Sequence, residues 1–452
     1  MKEQPFLADN PISRSLLVRV WIVCALGLFI DGFDLYITSV AEPFFQRDLH
    51  IAPAWLGVVQ AAAPIGAALG AVLIGRVTDH LGRKAMLVQN FMLFVVAALL
   101  SAFSWNIYAL CAFRFLVGFG IGADYPICAA YLAEMSPRQS RGKLMASAMF
   151  INCLASPIGV GIAYLIFSIH HELDVWRYMF AFGALPALVT LIIRYRLPES
   201  FIWKINRRLR SGKQEKLKTE YRKLFSHNYL KATIALCLCW FLMDISYYGV
   251  GLFTPAILGA LHLGDGGSLM SNASTIIEST LFVNAFVAFG AFLSIFAIDR
   301  MPRVSLQKSG FLLSFIGLLG LAVSSHFHAQ LVVPLVFAGF IIFNIFVNFG
   351  PGITTYLLPA EIYPTEIRAT GHGVASGVAK LGAFAGTLFL PVLMKNLGVN
   401  MTVFILALTL LVGYALTNLL KSYDMSSLHE LADYKRESPA LAAVHTENPE
   451  TA

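Results

Sequence analysis

The chain is 452 residues long, 57% hydrophobic and only 13% charged, with a formal net charge of +7 and a mean hydropathy of +0.69. Soluble domains carry about a quarter charged residues, so this composition excludes an ordinary soluble protein and points to an integral membrane chain. The excess positive charge sits in alternate loops between apolar runs, which is an orientation signal and excludes a nucleic-acid-binding reading.

About twelve runs are long enough to cross a bilayer, which takes roughly 20 apolar residues each. Their centres fall near residues 28, 64, 95, 120, 155, 185, 247, 286, 317, 345, 380 and 409. The expected fold is an all-α membrane protein with twelve transmembrane helices in two pseudo-symmetric six-helix bundles. The boundaries are 1–200 for the first bundle, 201–231 for a basic linker, 232–421 for the second bundle and 422–452 for a polar, disordered tail. No cleaved leader is expected, since the first run leads straight into further spans and is interrupted by Asp31 and Asp34. Basic residues at Arg76, Arg83, Lys84, Arg138, Arg141, Lys143, Arg300, Arg303 and Lys308, and throughout the linker, place those loops and both termini in the cytoplasm.

Charge inside a span costs on the order of 3 kcal/mol per residue, so each such residue is a functional candidate. In the first span Asp31 and Asp34, in "FIDGFDLY", lie three apart on one helix face. Two close carboxylates do not both ionise cheaply, which suits a proton carrier; the plainer alternative is that one neutralises Arg114. After the second span comes "GRVTDHLGRK", a G-x-x-x-D-x-x-G-R-K loop with Gly75, Asp79, Gly82 and Arg83. It resembles the signature loop of the major facilitator superfamily. Its counterpart in the second half, "DRMPRVSLQK", keeps only Asp299 and Arg300.

The fourth span holds Arg114 and Asp124, ten residues and so about 15 Å apart. It ends in "AEMSPRQSR", and the tenth ends in "AEIYPTEIR". The pairs Glu134/Glu361, Pro137/Pro364 and Arg141/Arg368 share an offset of 227 residues, half the chain. Paired halves of this kind are typical of secondary transporters, with the site at the midplane between them. Each motif also reads as a helix-end cap in which Glu and Arg can pair.

In the seventh span Trp240, Asp244 and Tyr248 are spaced i, i+4, i+8 and form one stripe. Lys380 in the eleventh span needs a counter-charge, and Asn344 and Asn348 in the tenth are again four apart. Carboxylate, ammonium and amides facing one another at mid-depth can hold a small polar anion. Glu278 reads as an interface residue near the outer end of span eight, and His372 lies near the inner end of span eleven. The six cysteines all fall in apolar runs without zinc or redox spacing and read as packing residues. No metal site or cofactor is expected, and no nucleophile–base pair or phosphate-cradling loop of an enzyme is evident.

Taken together, "FIDGFDLY", "GFGIGADYP", "CWFLMDISYYG" and "NFGPGITTYLLPAEIYPTEIRATGHGVASGVAK" resemble the phosphate:proton symporters of the major facilitator superfamily over nearly the whole chain. The resemblance implies a phosphate site built by Tyr125, Trp240, Asp244, Tyr248 and Asn348, with Lys380 close by and proton handling by Asp31, Asp34 and Asp124. Two positions depart from the family pattern. Asn152 stands where a glutamine is usual, and Gly352 closes N-F-G-P-G where asparagine is usual. Both changes widen the expected pocket and keep open another small anionic metabolite, a carboxylate or organophosphate, as substrate. A third possibility is a receptor on the same fold that does not transport. The expected partners are the anion, protons and the bilayer, for a monomer in the plasma membrane, bacterial by its short linker.

Overall fold

The computed structural model describes residues 14–137, 140–200, 203–204, 219–260, 269–364 and 367–423. Arg138, most of the basic linker and nearly all of the tail lie outside the described residues.

Without water in the bilayer core, each backbone N–H and C=O must be satisfied within its own segment, and long apolar runs therefore form helices. The first half contains α1 (Arg14–Asp48), α2 (Pro53–Leu81), α3 (Arg83–Ala102), α4 (Ile107–Met135), α5 (Arg141–Ile169) and α6 (Val175–Tyr195). The second half contains α7 (His227–Leu252), α8 (Leu269–Ala297) and α9 (Arg303–Val323). Then comes α10, broken at Gly350 into Ala329–Phe349 and Pro351–Ile362. The last helical run, Arg368–Leu416, has 49 residues. At 1.5 Å per residue that is about 74 Å, more than two bilayer cores. Gly398 divides it: with φ 78° and ψ 167° it turns the chain back, separating α11 (368–397) from α12 (399–416). All twelve expected centres lie in these helices, and among the described residues there is no strand.

The helices pack as two six-membered bundles, α1–α6 and α7–α12. They meet along two seams, α2 against α11 and α5 against α8. Glycine makes the first seam possible: a Cβ on Gly75 would lie 2.7 Å from the Ala369 carbonyl oxygen. Large apolar side chains such as Leu165, Leu185 and Val189 point outward, as lipid permits.

The basic loops share one face of the molecule. In the α2–α3 turn Gly82 takes φ 109°, and buried Arg83 bridges Asp79 at 3.0 Å and Glu134 at 2.7 Å. The first N–H groups of α3, which have no intrahelical partner, donate to the carboxylate of Glu199, at 2.8 Å for Arg83. The second half repeats this bridge with Arg303, which lies 3.7 Å from Asp299 and 3.4 Å from Glu361. One expectation changes here. The counterpart of Arg83 is Arg303, four residues after Asp299 as Arg83 is four after Asp79, whereas Arg300 is exposed. Glu134 and Glu361 bond Arg83 and Arg303 of the loops. Of the motif arginines, Arg141 lies within electrostatic range of Glu361 across the bundles, and Arg368 Nε donates to the Tyr363 carbonyl at 3.3 Å.

Contacts between bundles occur at both ends. On the basic face Asp79 accepts from the Thr370 N–H and hydroxyl at 2.8 and 2.7 Å. The short helix Thr219–Leu224 lies there as well, its Tyr221 hydroxyl donating to the Val72 carbonyl. On the opposite face the Tyr36 and Tyr247 hydroxyls are 3.0 Å apart, Ser39 Oγ donates to the Leu252 carbonyl, and Tyr164 donates to Glu278.

Truncating Glu134 to Ala removes a partner from a buried charge, a loss of about 3–5 kcal/mol. Lys143→Ala breaks an exposed pair to Asp299 and costs about 1 kcal/mol or less. Thermal unfolding of the two purified variants should rank them in that order, with Glu134→Ala far lower in melting temperature.

Candidate functional site

The stripe expected on α7 faces α11. Lys380 Nζ donates to Asp244 Oδ2 at 2.9 Å and to the Tyr248 hydroxyl at 2.7 Å. All three residues are buried, and Trp240 forms the next turn of the same wall. The ammonium also lies over two rings, 4.9 Å from the centroid of Tyr125 and 4.3 Å from that of Tyr248. Tyr125 is on α4, so this lysine is shared between bundles. Tyr125 packs in turn against Trp240 and Tyr356, and His372 sits edge-on to both of these. His372 Nε2 pairs with the Tyr356 carbonyl at 3.1 Å.

The two expected amides border this cluster. Asn348 donates to the Asn344 carbonyl and accepts from the Cys153 thiol. Asn152 donates to the Leu28 carbonyl of α1. Gly352 follows the α10 break, where its absent side chain leaves Val347 and Asn348 as the nearest neighbours.

The first bundle separates the three acids expected to handle protons. Asp34 is held by Arg114, at 2.9 Å to each carboxylate oxygen. Asp124 is held by Arg194 of α6, at 2.5 and 2.7 Å. Nothing in the sequence analysis marked Arg194. It sits at the end of its span beside Arg196, where a basic residue normally reaches back to the interface. Here it is fully buried and turned inward, with its guanidinium 3.9 Å from the centroid of Phe91. Asp31 is different again: it is fully buried, and neither carboxylate oxygen has a hydrogen-bond partner among the described residues. It lies within electrostatic range of Asp124, Arg194, Asp34 and Lys380.

Among the described residues, the buried middle of the molecule therefore holds three acid–base pairs, Asp34–Arg114, Asp124–Arg194 and Asp244–Lys380, and Asp31 as an acid without a base. The pairs cancel. A fully buried carboxyl with no base paired to it among the described residues is a candidate for function. Of the remaining expected residues, Glu278 joins α8 to α5 through Tyr164. The cysteines are free thiols, five of them buried and Cys111 half-buried.

The family model described as the Major Facilitator Superfamily matches residues 24–387. The chain belongs to the major facilitator superfamily. Members are transporters, and this chain is a multi-pass membrane transporter of that fold. It is similar to "Probable inorganic phosphate transporter 1-5" of Oryza sativa subsp. japonica, 27% identical over 94% of this chain and 93% of the relative. It is likewise similar to "Probable inorganic phosphate transporter 1-6" of Arabidopsis thaliana, 26% identical over 92% of this chain and 93% of the relative. Among solved structures, a proton:xylose symporter bound to 6-bromo-6-deoxy-D-glucose superposes with a TM-score of 0.73. It is 21% identical, over 89% of this chain and 95% of that one. A partially occluded inward-open structure of the xylose transporter from E. coli gives 0.72 at 20% identity, over 88% of this chain and 98% of that one. These structures share the fold.

The Asp124–Arg194 pair generates a specific expectation. Arg194→Met strands a carboxylate in the core of this transporter, a loss of about 3–5 kcal/mol. Replacing both partners, as Arg194→Met with Asp124→Leu, should recover most of that loss. A double-mutant cycle on thermal stability measures the coupling; additive losses would mean the pair is not coupled.

Proposed function

We propose that this transporter couples the uptake of a small inorganic anion, phosphate, to protons by alternating access. The observation that carries the reading is Lys380. It is a buried ammonium at the junction of the bundles, bonded to Asp244 and Tyr248 and covered by Tyr125. An anion approaching that cation meets the Asp244 carboxylate first, and like charges repel strongly in a dry pocket. Once Asp244 takes a proton the repulsion ends, a donor is gained and Lys380 is free for the anion. Anion and proton thus strengthen each other's binding, and the coupling is reciprocal.

In this scheme Tyr125, Trp240, Tyr248, Asn348 and Lys380 hold the anion, with Asn152 at the border of the pocket. Asp31, the acid without a cation, carries the proton on the first bundle. Arg114 and Arg194 engage Asp34 and Asp124 as ion pairs, which leaves Asp31 and Asp244 as the proposed proton carriers. The paired loops built on Asp79, Arg83, Glu134, Arg303 and Glu361 hold the basic face closed, and by their charge they face the cytoplasm. The similarity over most of the chain to proteins named as inorganic phosphate transporters supports phosphate as the anion. The aromatic wall, with Asn152 turned onto the α1 backbone, favours a second reading, a small carboxylated or phosphorylated metabolite.

Uptake of labelled phosphate into proteoliposomes tests the scheme. Wild type should accumulate phosphate only under an inward proton gradient, with organic anions competing weakly; strong competition by a carboxylate supports the second reading. Lys380→Ala removes a charged hydrogen bond to the anion and should weaken its binding by about 1.5–3 kcal/mol. Asp31→Asn should stop uphill accumulation more completely than exchange. The sign of the pH effect follows from the proton count: the bound complex holds one more proton than the free protein. Affinity for the phosphate monoanion therefore rises as pH falls, by at most about tenfold per unit. Asp244→Asn should flatten that dependence. Uphill accumulation by Asp31→Asn at the wild-type level would overturn the scheme.

A further inference from the structure

The scheme above gives Asp31 a proton but no route to it. Asp31 is fully buried, and beyond it on α1 the Tyr36–Tyr247 and Ser39–Leu252 contacts close the face opposite the basic loops. One turn past that closure lies a second buried acid, Glu42, which none of the assignments above uses. It is 9% exposed, and its carboxylate accepts from the side-chain amide of Gln60 on α2, itself 3% exposed. No basic residue pairs with it among the described residues. Of the charged and titratable groups on the surrounding helices, Arg114 of α4 is engaged with Asp34, Arg177 of α6 with Asp48, Tyr164 of α5 with Glu278, and Tyr247 of α7 with Tyr36. A carboxyl in such a place is held by an amide alone, and an amide serves the acid and the carboxylate equally well as a partner.

Position on the helix supplies the second half of the argument. Glu42 is eleven residues from Asp31, which is three turns to within about 20°, so both lie on one face of α1 some 16 Å apart. Thr38, seven residues from Asp31 and four from Glu42, lies on the same face. It is buried, and its hydroxyl donates to the Asp34 carbonyl. The hydroxyl oxygen therefore remains free to accept. The face thus carries an acid on each side of the closure with a hydroxyl between them.

Resting on the proton-coupled reading, we propose that Glu42 is the entry site of the coupled proton. It collects the proton at the mouth of the molecule and passes it along this face of α1 to Asp31. The transfer is a simple exchange: the Glu42 O–H bond breaks as water admitted by opening of the α1–α7 contact takes the proton. An O–H bond then forms on the Asp31 carboxylate, which has emptied on the other side. Gln60 holds the Glu42 carboxylate in place through its side-chain amide.

The test uses proteoliposomes carrying wild type, Glu42→Gln, Glu42→Asp or Asp31→Asn, with inorganic phosphate as the probe. Gradient-driven accumulation and gradient-free exchange of labelled phosphate are measured over a range of outer pH. Glu42→Gln keeps the shape and a hydrogen bond to Gln60 but holds no transferable proton. It should lower the initial rate of accumulation by about tenfold or more, lower exchange far less, and lose the dependence of accumulation on outer pH. Glu42→Asp should restore that dependence. The infrared band of a protonated carboxyl that responds to outer pH should vanish in Glu42→Gln, a readout that needs no substrate. Wild-type rate, pH profile and infrared band in Glu42→Gln would overturn the proposal. So would equal loss of accumulation and exchange with no rescue by Glu42→Asp, which is the signature of a structural role. Accumulation that survives in Asp31→Asn strikes at the proton-coupled reading itself, and the infrared result on Glu42 then decides this site separately.

Discussion

A bilayer leaves a buried charge no water to turn to, so each one must find an opposite charge inside the protein or give up its own. The interior of this transporter is arranged around that constraint. Arg83 and Arg303 are buried at the basic face because Asp79, Glu134, Asp299 and Glu361 surround them. Arg114 and Arg194 are buried in the first bundle because Asp34 and Asp124 meet them. Two places stand apart. Asp31 and Glu42 on α1 have no base among the described residues, and Lys380 is paired with Asp244 where the bundles meet.

The same constraint bears on the proposed alternating access. Within each bundle the buried charges are paired at short range. Between bundles the polar contacts include hydroxyl and backbone bonds such as Thr370 to Asp79, Tyr36 to Tyr247 and Ser39 to Leu252 and one exposed ion pair, Lys143 to Asp299, together with close glycine seams such as Gly75 against Ala369. Bonds of this type net about 1 kcal/mol each, and breaking one end's set while keeping the other's is within reach of a single binding event. Tyr125 over Lys380 places this buried ammonium at the junction, in contact with both halves.

The parts legible in the sequence are those where residue type and environment conflict. An aspartate in "CWFLMDISYYG" and a lysine in an apolar run are conspicuous, and the structure joins them. The twelve spans and the two halves follow from hydropathy and a shared 227-residue offset. Arg194 was not legible, because a basic residue at a span's end is ordinary and only packing turns it inward. Glu42 was missed for the same reason: it stands near the end of its helix, next to Pro43, where acids are unremarkable. Arg303 was obscured because the second loop lacks the glycines that set the register of the first. Arg114 was read as a partner for Asp31 or Asp34 and pairs with Asp34, whereas the pairing of Asp124 with Arg194 could come only from the fold.

The central claim is that the anion binds Lys380 only as Asp244 accepts a proton. Calorimetric titration of the purified transporter with phosphate, in buffers of differing ionisation enthalpy at one pH, counts the protons exchanged on binding, after correction for phosphate's own ionisation. The account predicts that about one proton is taken up per anion by the wild type, and none by Asp244→Asn. Binding by the wild type with no net proton uptake would contradict it.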